Sequence, residues 1–236
     1  MFFGDTLLTA DGAVLNSGNT ETSERISRSG NPYLRRRAQI INGCTAKRAI
    51  DVVVAVAALV FLLPAIVVIC IAIKIDSPGP ILFRQERYGV DRRVFLLYKF
   101  RSMRVMEARG AFTQARQNDS RITRVGALLR RTSLDELPQL INVIRGEMSL
   151  VGPRPHAVVM DQAFAELLPH YTDRHLVKPG LTGLAQVAGH RGPTEGTEQI
   201  RERLRRDRAY IRKWSVRMDL RLLAQTPWKL LGPNAF

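Results

Sequence analysis

Apolar positions are spread unevenly along this 236-residue chain. From Val52 to Ile73, VVVAVAALVFLLPAIVVICIAI, no side chain carries a charge. As one straight helix the run would reach about 33 Å, enough for a hydrocarbon core of about 30 Å. Pro64 lies near its middle, where a missing N–H and a bulky ring kink a helix. The run is therefore expected as two halves, Val52–Leu63 and Pro64–Ile73, each about 15–18 Å long. A buried helix of a soluble core and a kinked but spanning helix are the alternatives. A cleavable signal peptide fits less well, because the run starts far from Met1 and no A-x-A site follows.

Downstream the pattern shortens. Asp76–Pro80 (DSPGP) is a turn cluster. Ile81–Phe83 and Val94–Tyr98 read as strands, with Tyr88-Gly89-Val90 turning between them. Helices are expected over Arg124–Arg130, Ser133–Ile144, Asp161–Leu168 and Thr197 to about Trp214. Met148–Pro155 and Pro179–Gly189 read as loops, the latter punctuated by glycine. Upstream, Met1 to about Tyr33 is rich in Ser, Thr, Gly and Asn without sustained periodicity, which predicts disorder.

Charge sharpens the picture. Lys and Arg number 36 against 21 Asp and Glu, a net +15. That excess points to a polyanionic partner: nucleic acid, an anionic membrane surface or a phosphorylated substrate. Cationic residues flank the apolar run on both sides, Arg35–Arg37, Lys47 and Arg48 before it and Lys74, Arg84, Arg87, Arg92, Arg93, Lys99, Arg101 and Arg104 after it. Positive charge marks the cytoplasmic side of a membrane, so a helix that dips in and returns satisfies both flanks. Cys44 and Cys70 make no disulfide framework, and His156, His170, His175 and His190 are too scattered to suggest a metal cluster. No helix-turn-helix, zinc-finger or RNP-type pattern supports a nucleic-acid partner.

The segment richest in chemistry runs from Leu128 to Pro155, LLRRTSLDELPQLINVIRGEMSLVGPRP. Ser133 and Glu136 fit a capping box, with Leu134, Leu137, Leu140, Ile141 and Ile144 on an apolar face and Asp135, Gln139 and Asn142 on another. Read blandly, the two acids favour the dipole of a capped helix. Read chemically, a carboxylate at a helix start beside Arg130 and Arg131 could attack a phosphorus atom whose charge those cations screen. Glu136 could then help to hold Mg²⁺, which prefers hard oxygen ligands. The C-terminal segment, Gln199–Trp228, mixes Arg and Lys with Tyr210, Ile211, Trp214, Met218 and Trp228. It suits a helix lying in a membrane interface, or one packing its apolar side on the domain.

Six segments, KRAIDVVVA, SPGPILFRQERYG, LYKFRSM, DSRITRVGALLRRTSLDELPQL, GEMSLVGPRP and KPGLTGLAQVAG, stand in an order that closely resembles the bacterial sugar transferases, the monotopic polyprenyl-phosphate phosphoglycosyl transferases. The likeness runs from about Lys47 to the C-terminus. It implies a mainly helical α+β fold, with a re-entrant membrane helix-break-helix, a small catalytic domain and amphipathic interfacial helices. It also implies the cytoplasmic face of a bacterial inner membrane as location. By the resemblance, Asp135 attacks the sugar-linked phosphorus of a nucleotide diphosphate sugar and expels the nucleoside monophosphate. Undecaprenyl phosphate then takes the sugar phosphate from the enzyme, in an initiating step of surface glycan synthesis. Asp135 and Glu136 are the implied Mg²⁺ ligands, and Lys99, Arg130 and Arg154 the phosphate-holding cations. Forked guanidinium groups suit phosphate oxygens.

Arg191-Gly192-Pro193-Thr194 resembles the RG-x-T stretch of enzymes acting on UDP-glucose or UDP-galactose, so Arg191 joins the substrate set; an ordinary Gly-Pro turn is the alternative. One departure concerns the break, where relatives usually place Ser before the membrane-breaking proline and this chain has Leu63 before Pro64. The expected organisation is a disordered or variable segment at 1–39, a re-entrant membrane helix with its basic lead-in at 40–75, and a catalytic domain with C-terminal interfacial helices at 76–236. Self-association stays open. A catalytically inactive membrane scaffold is the non-enzyme alternative, with a membrane-tethered nucleic-acid binder more remote.

Overall fold

The computed structural model describes residues 31–104, 119–190 and 196–230. Helix α1 (Pro32–Asn42) starts where the Asn31 side chain accepts from the Tyr33 N–H, with Pro32 in its first turn. Leu34, Ala38 and Ile41 recur at helical spacing and are buried in the main core. Residues 32–39, expected within a disordered or variable segment at 1–39, are instead helical: three consecutive arginines interrupt the apolar pattern and hide a short amphipathic helix. Residues 1–30 lie outside the described residues.

Helices α2 (Thr45–Phe61) and α3 (Leu63–Asp76) meet at Leu62 with a bend of 64°. Pro64 sits in the first turn of α3, where it needs no intrahelical partner. Among the described residues no single helix is long and apolar enough to cross a membrane, although the bent pair together passes on length and composition. One side of the pair faces protein. Ala55 joins the main core, while Ile69 and Ile73 form a second cluster with Phe100 and Leu129. The other side is uncovered, with Val53, Val60, Phe61, Val68, Ile71 and Ile75 all exposed.

The charges at the ends of this pair serve the fold, which the reading of them as flanking charge did not foresee. Lys47 is buried and donates to Asp219 Oδ2 at 2.7 Å and to the Val151 carbonyl at 3.1 Å. Arg48 donates to the Val143 and Ile144 carbonyls, each at 2.6 Å. Past the end of α3, Arg101 is buried and donates to the carbonyls of Ser77 at 2.6 Å and Pro78 at 2.8 Å. Arg48 and Arg101 thereby answer carbonyls that helix ends leave without partners.

Strands β1 (Leu82–Tyr88) and β2 (Val94–Phe100) form an antiparallel hairpin, in register from Leu82 opposite Phe100 to Tyr88 opposite Val94. They outrun the expected apolar stretches because β1 carries Arg84, Gln85, Glu86 and Arg87, which a half-covered strand tolerates. Helix α4 (Arg124–Thr132) forms where a helix is expected, whereas a 3₁₀ turn at Leu134–Glu136 and helix α5 (Gln139–Arg145) replace the single helix expected from Ser133. Ser133 closes α4 in the left-handed region at φ 59°, and Pro138 caps α5.

Two segments read as loops contain a second sheet. Strands β3 (Ser149–Val151) and β4 (Gly180–Thr182) pair in parallel, with Ser149 opposite Gly180 and Val151 opposite Thr182. Strands this short carry too few residues for alternation to be visible. Between them lie α6 (Val158–Leu167) and a 3₁₀ stretch at Tyr171–Leu176; after them come α7 (Leu184–Val187), α8 (Thr197–Lys213) and α9 (Val216–Leu230). Helix α8 buries Ile200, Leu204, Tyr210 and Ile211, so it packs on the domain, whereas Leu220 and Trp228 of α9 are exposed. The architecture is α+β and mainly helical, as expected.

Candidate active site

Asp135 and Glu136 occupy the 3₁₀ turn between α4 and α5. Leu134 and Leu137 on either side of them pack into the cluster built by Ile69 and Ile73 of α3, so the turn rests on the second apolar helix. The expected capping box is not formed. Ser133 makes no side-chain cap bond, and the Glu136 carboxylate turns to cations from two distant segments. The dipole argument for phosphate goes with it, since a three-residue turn has little dipole to offer. Asn142 also leaves the proposed shared face: fully buried, it accepts from the Tyr98 N–H at 3.1 Å and donates to the Leu96 carbonyl at 2.7 Å, tying α5 to β2.

The structure brings Lys99, Asp135, Glu136 and Arg154 together. Lys99 Nζ, from β2, donates to Glu136 Oε1 at 2.8 Å and stands 3.8 Å from Asp135 Oδ2. Arg154 donates to both Glu136 oxygens, through Nη1 to Oε2 at 3.1 Å and through Nη2 to Oε1. Two neighbouring carboxylates, each less than a tenth exposed, are thus held unequally. Burial opposes ionisation of Glu136, but Arg154 and Lys99 outweigh it and hold the carboxyl well below the usual glutamate range. Burial pushes Asp135 the other way, above the usual aspartate range; Lys99 eases its ionisation, Glu136 opposes it, and Arg130 and Arg154 ease it further. The result is one neutralised carboxylate and one less tightly paired neighbour.

The remaining candidates fall differently. Arg130, in the last turn of α4, acts on Asp135 through its charge and places Nη1 4.0 Å from Met103 Sδ. Pro64 sits just after the bend, as described above. Arg191 lies outside the described residues.

Arg154 is held by a support that sequence reasoning did not find. Its loop follows Gly152, where a Cβ would come within 2.4 Å of the Lys178 carbonyl oxygen; one on Gly180 would come within 2.0 Å of the Gly152 nitrogen. The glycines of VGPRP and KPGLTG therefore let two backbones touch. From below, Arg174 donates through Nη2 to the Arg154 carbonyl at 2.6 Å, through Nε to Asp207 at 3.1 Å and through Nη1 to Tyr171 Oη at 2.8 Å. It also donates to His156 Nδ1 at 2.6 Å. A guanidinium has only donors, so Nδ1 must accept and the proton of His156 sits on Nε2. Burial and then the Arg174 charge push His156 well below the usual histidine range, and the same two causes act on His175. Two histidines scattered in sequence thus meet around Asp161 and Tyr171 as neutral rings. Burial, the largest cause, pushes the Asp161 carboxyl up to about 6. Arg87 closes this side by donating to the Pro155 carbonyl at 3.3 Å.

The donor set at the turn suits a hard divalent cation in type. Mg²⁺ is usually held by one or two carboxylates, with phosphate oxygens and water completing its shell. Asp135 and Glu136 supply such a pair, although both oxygens of Glu136 already accept from cations, which leaves Asp135 the freer ligand. Among the described residues no group of three or more His, Cys, Asp or Glu forms an all-protein metal cage.

The sequence model of a family described as bacterial sugar transferase matches residues 42–233. The chain is 51% identical over 183 residues to the UDP-glucose:undecaprenyl-phosphate glucose-1-phosphate transferase of Escherichia coli K12, covering 78% of this chain and 39% of that protein. It is 47% identical over 191 residues to a transferase of the same name from Caulobacter vibrioides, covering 80% of this chain and 72% of the relative. With the exopolysaccharide production protein PSS of Rhizobium leguminosarum bv. phaseoli it shares 46% identity over 185 residues, 76% of this chain and 92% of that one. The chain thus matches well under half the length of the E. coli relative and most of the length of the other two.

Proposed function

Since the chain belongs to the bacterial sugar transferase family, we propose that it transfers a hexose-1-phosphate, glucose-1-phosphate foremost, from a UDP-sugar to undecaprenyl phosphate. The observation that carries this reading is the unequal pairing of the two buried carboxylates: Glu136 is neutralised by Lys99 and Arg154, while Asp135 stays outside hydrogen-bond distance of Lys99. In the first step an oxygen of Asp135 bonds to the sugar-linked phosphorus as the bond from that phosphorus to the bridging oxygen breaks and UMP leaves. In the second, an oxygen of the polyprenyl phosphate attacks the same phosphorus and releases Asp135. Lys99, Arg130 and Arg154 hold phosphate oxygens and screen the approach of one anion to another. Glu136 keeps Lys99 and Arg154 in place. Mg²⁺, when bound through Asp135 or Glu136, supplies charge neutralisation on the diphosphate.

The uncovered side of the bent α2–α3 pair supports docking in a bilayer, and the turn bearing Asp135 rests on α3, which suits a substrate whose phosphate lies at a membrane surface. On this reading the pair enters the cytoplasmic face of the inner membrane and returns. Cysteine labels at Arg36 and Arg92 should both react from the cytoplasm, and labelling from opposite sides would refute the hairpin. The transfer itself is tested by incubating detergent-purified protein with a panel of UDP-sugars and undecaprenyl phosphate while following UMP. UDP-glucose should release UMP and yield a lipid-linked hexose diphosphate, and silence with every UDP-sugar would sink the proposal.

A further inference from the structure

One exposed aromatic residue stands beside the site without a task in the chemistry above. Phe83, 47% exposed, is the cross-strand partner of Lys99 in the β1–β2 hairpin. Partners in an antiparallel pair project to the same face, with Cβ atoms about 4.5–5.5 Å apart. That face is the working one. Lys99 reaches Asp135 and Glu136 from it, and Arg87, two pleats along β1 from Phe83, reaches the Pro155 carbonyl. The opposite face carries the Arg84 and Tyr98 pair, whose guanidinium lies 5.7 Å from the ring centroid.

The position of Phe83 along the hairpin adds a direction. It lies at the end nearest α3, directly after Ile81 and Leu82, which pack with Ile69 and Ile73 of that helix. An exposed ring next to a cation is complementary to an amphiphile with an anionic head and an apolar chain. The cation takes the phosphate and the ring covers the first carbons of the chain. A nucleobase also stacks on aromatic rings, so it is the apolar surroundings of this end, Ile81, Leu82 and α3, that favour the lipid acceptor over the nucleotide.

We propose that Phe83 is an acceptor-binding residue, contacting the isoprene units next to the phosphate of the polyprenyl acceptor while Lys99 holds that phosphate. This rests on the transfer reaction proposed above. Detergent-solubilised protein keeps membrane anchoring out of the comparison. Phe83→Ala and Phe83→Leu are measured against the parent for UMP release from UDP-glucose without acceptor, and for full turnover at varied undecaprenyl phosphate. Phe83→Ala should release UMP with the parent's rate and yield, while its KM for undecaprenyl phosphate rises by about ten-fold; Phe83→Leu, which restores an apolar chain, should stay within about three-fold. An unchanged acceptor KM in Phe83→Ala would overturn the assignment. So would a raised KM for UDP-glucose in the half-reaction, which would place the ring at the nucleotide. If the parent itself releases no UMP, the transfer reaction fails instead. Binding of undecaprenyl phosphate, followed by native mass spectrometry, then reads the contact alone: equal binding by parent and Phe83→Ala would refute it.

Discussion

Arg174 donates through Nη2 to the backbone carbonyl of Arg154 at 2.6 Å, so the residue whose guanidinium grips Glu136 is anchored at its backbone by a second, buried guanidinium. Arg174 is 5% exposed and answers Asp207, Asp161, Tyr171 and His156 at once. Burial works against its proton, but Tyr171, Asp207 and Asp161 outweigh that cost and raise its affinity for the proton. Removing a single partner from such a set leaves charges without an answer in a medium that solvates them poorly.

Arg174→Met should therefore cost about 3–5 kcal/mol in stability, through the uncompensated Asp161 and Asp207. Chemical denaturation measures it. Arg174→Lys keeps the charge without the fork and should fall between parent and Met. A loss under about 1 kcal/mol for Arg174→Met would mean that the network is no keystone.

The contrast between Arg154 and Arg174 shows what the sequence could and could not reveal. Lys99, Asp135, Glu136 and Arg154 sit in distinctive local strings, and the fold does assemble them. The uncharged stretch from Val52 and the proline within it announced a broken helix, and a break is there at Leu62. What could not be read were partnerships across long separations. Lys47 and Arg48 looked like flanking charge because nothing nearby in sequence names Asp219 or the Val143 carbonyl. Helix α1 was lost behind Arg35–Arg37, and the β3–β4 pair behind strands too short to alternate. The capping box failed for a local reason: Ser133 turns left-handed to end α4, which sends Glu136 away from the backbone and toward Lys99 and Arg154.

The buried pair between Lys47 and Asp219 makes a second test. Asp219 accepts from Lys47 Nζ at 2.7 Å, Tyr210 Oη at 2.9 Å and Trp214 Nε1 at 2.9 Å, joining the start of α2 to the two C-terminal helices. Asp219→Ala should lower stability by about 3–5 kcal/mol, with much of the effect local to α9. Hydrogen exchange should show the amides of α9 exchanging faster while those of β1 and β2 keep their protection. Unchanged exchange in α9 would show that the helix is held by its apolar contacts alone.

The two carboxylates also make opposite predictions for pH. The proposed attack needs Asp135 ionised, and its folded value is raised, so the acid limb of activity should lie above the ordinary aspartate range. Lys99→Met removes a charge that eases ionisation of Asp135, and whatever activity remains should titrate at still higher pH. Glu136 is held low, so its contribution to stability is fully present above the ordinary glutamate range and is lost as pH falls through the folded value. Asp135 works the other way, because acidification relieves the strain of its buried charge. Rate profiles of parent and Lys99→Met with pH check the first claim, and an acid limb that moves down on removing Lys99 would contradict it.

The last expectation is that Asp135 is the covalent nucleophile. Asp135→Asn keeps the shape of the side chain and part of its hydrogen bonding but removes the attacking oxyanion. If Asp135 served only as a buried acid in a 3₁₀ turn, the change would touch stability and spare turnover. It could even stabilise the fold, since burial and Glu136 both disfavour the charge at this position. As nucleophile, its loss should leave a folded protein whose activity is down by several orders of magnitude. The parent given UDP-glucose without acceptor should release UMP in a burst of about one per active site, and its Asp135 peptide should gain the mass of a hexose phosphate. Retention of more than about a tenth of parental turnover by Asp135→Asn, a barrier change under ~1.4 kcal/mol, would make the covalent role untenable. Glu136→Gln separates the pair. It leaves the nucleophile in place but loosens Lys99 and Arg154, so it should slow both half-reactions while the labelled Asp135 peptide still forms.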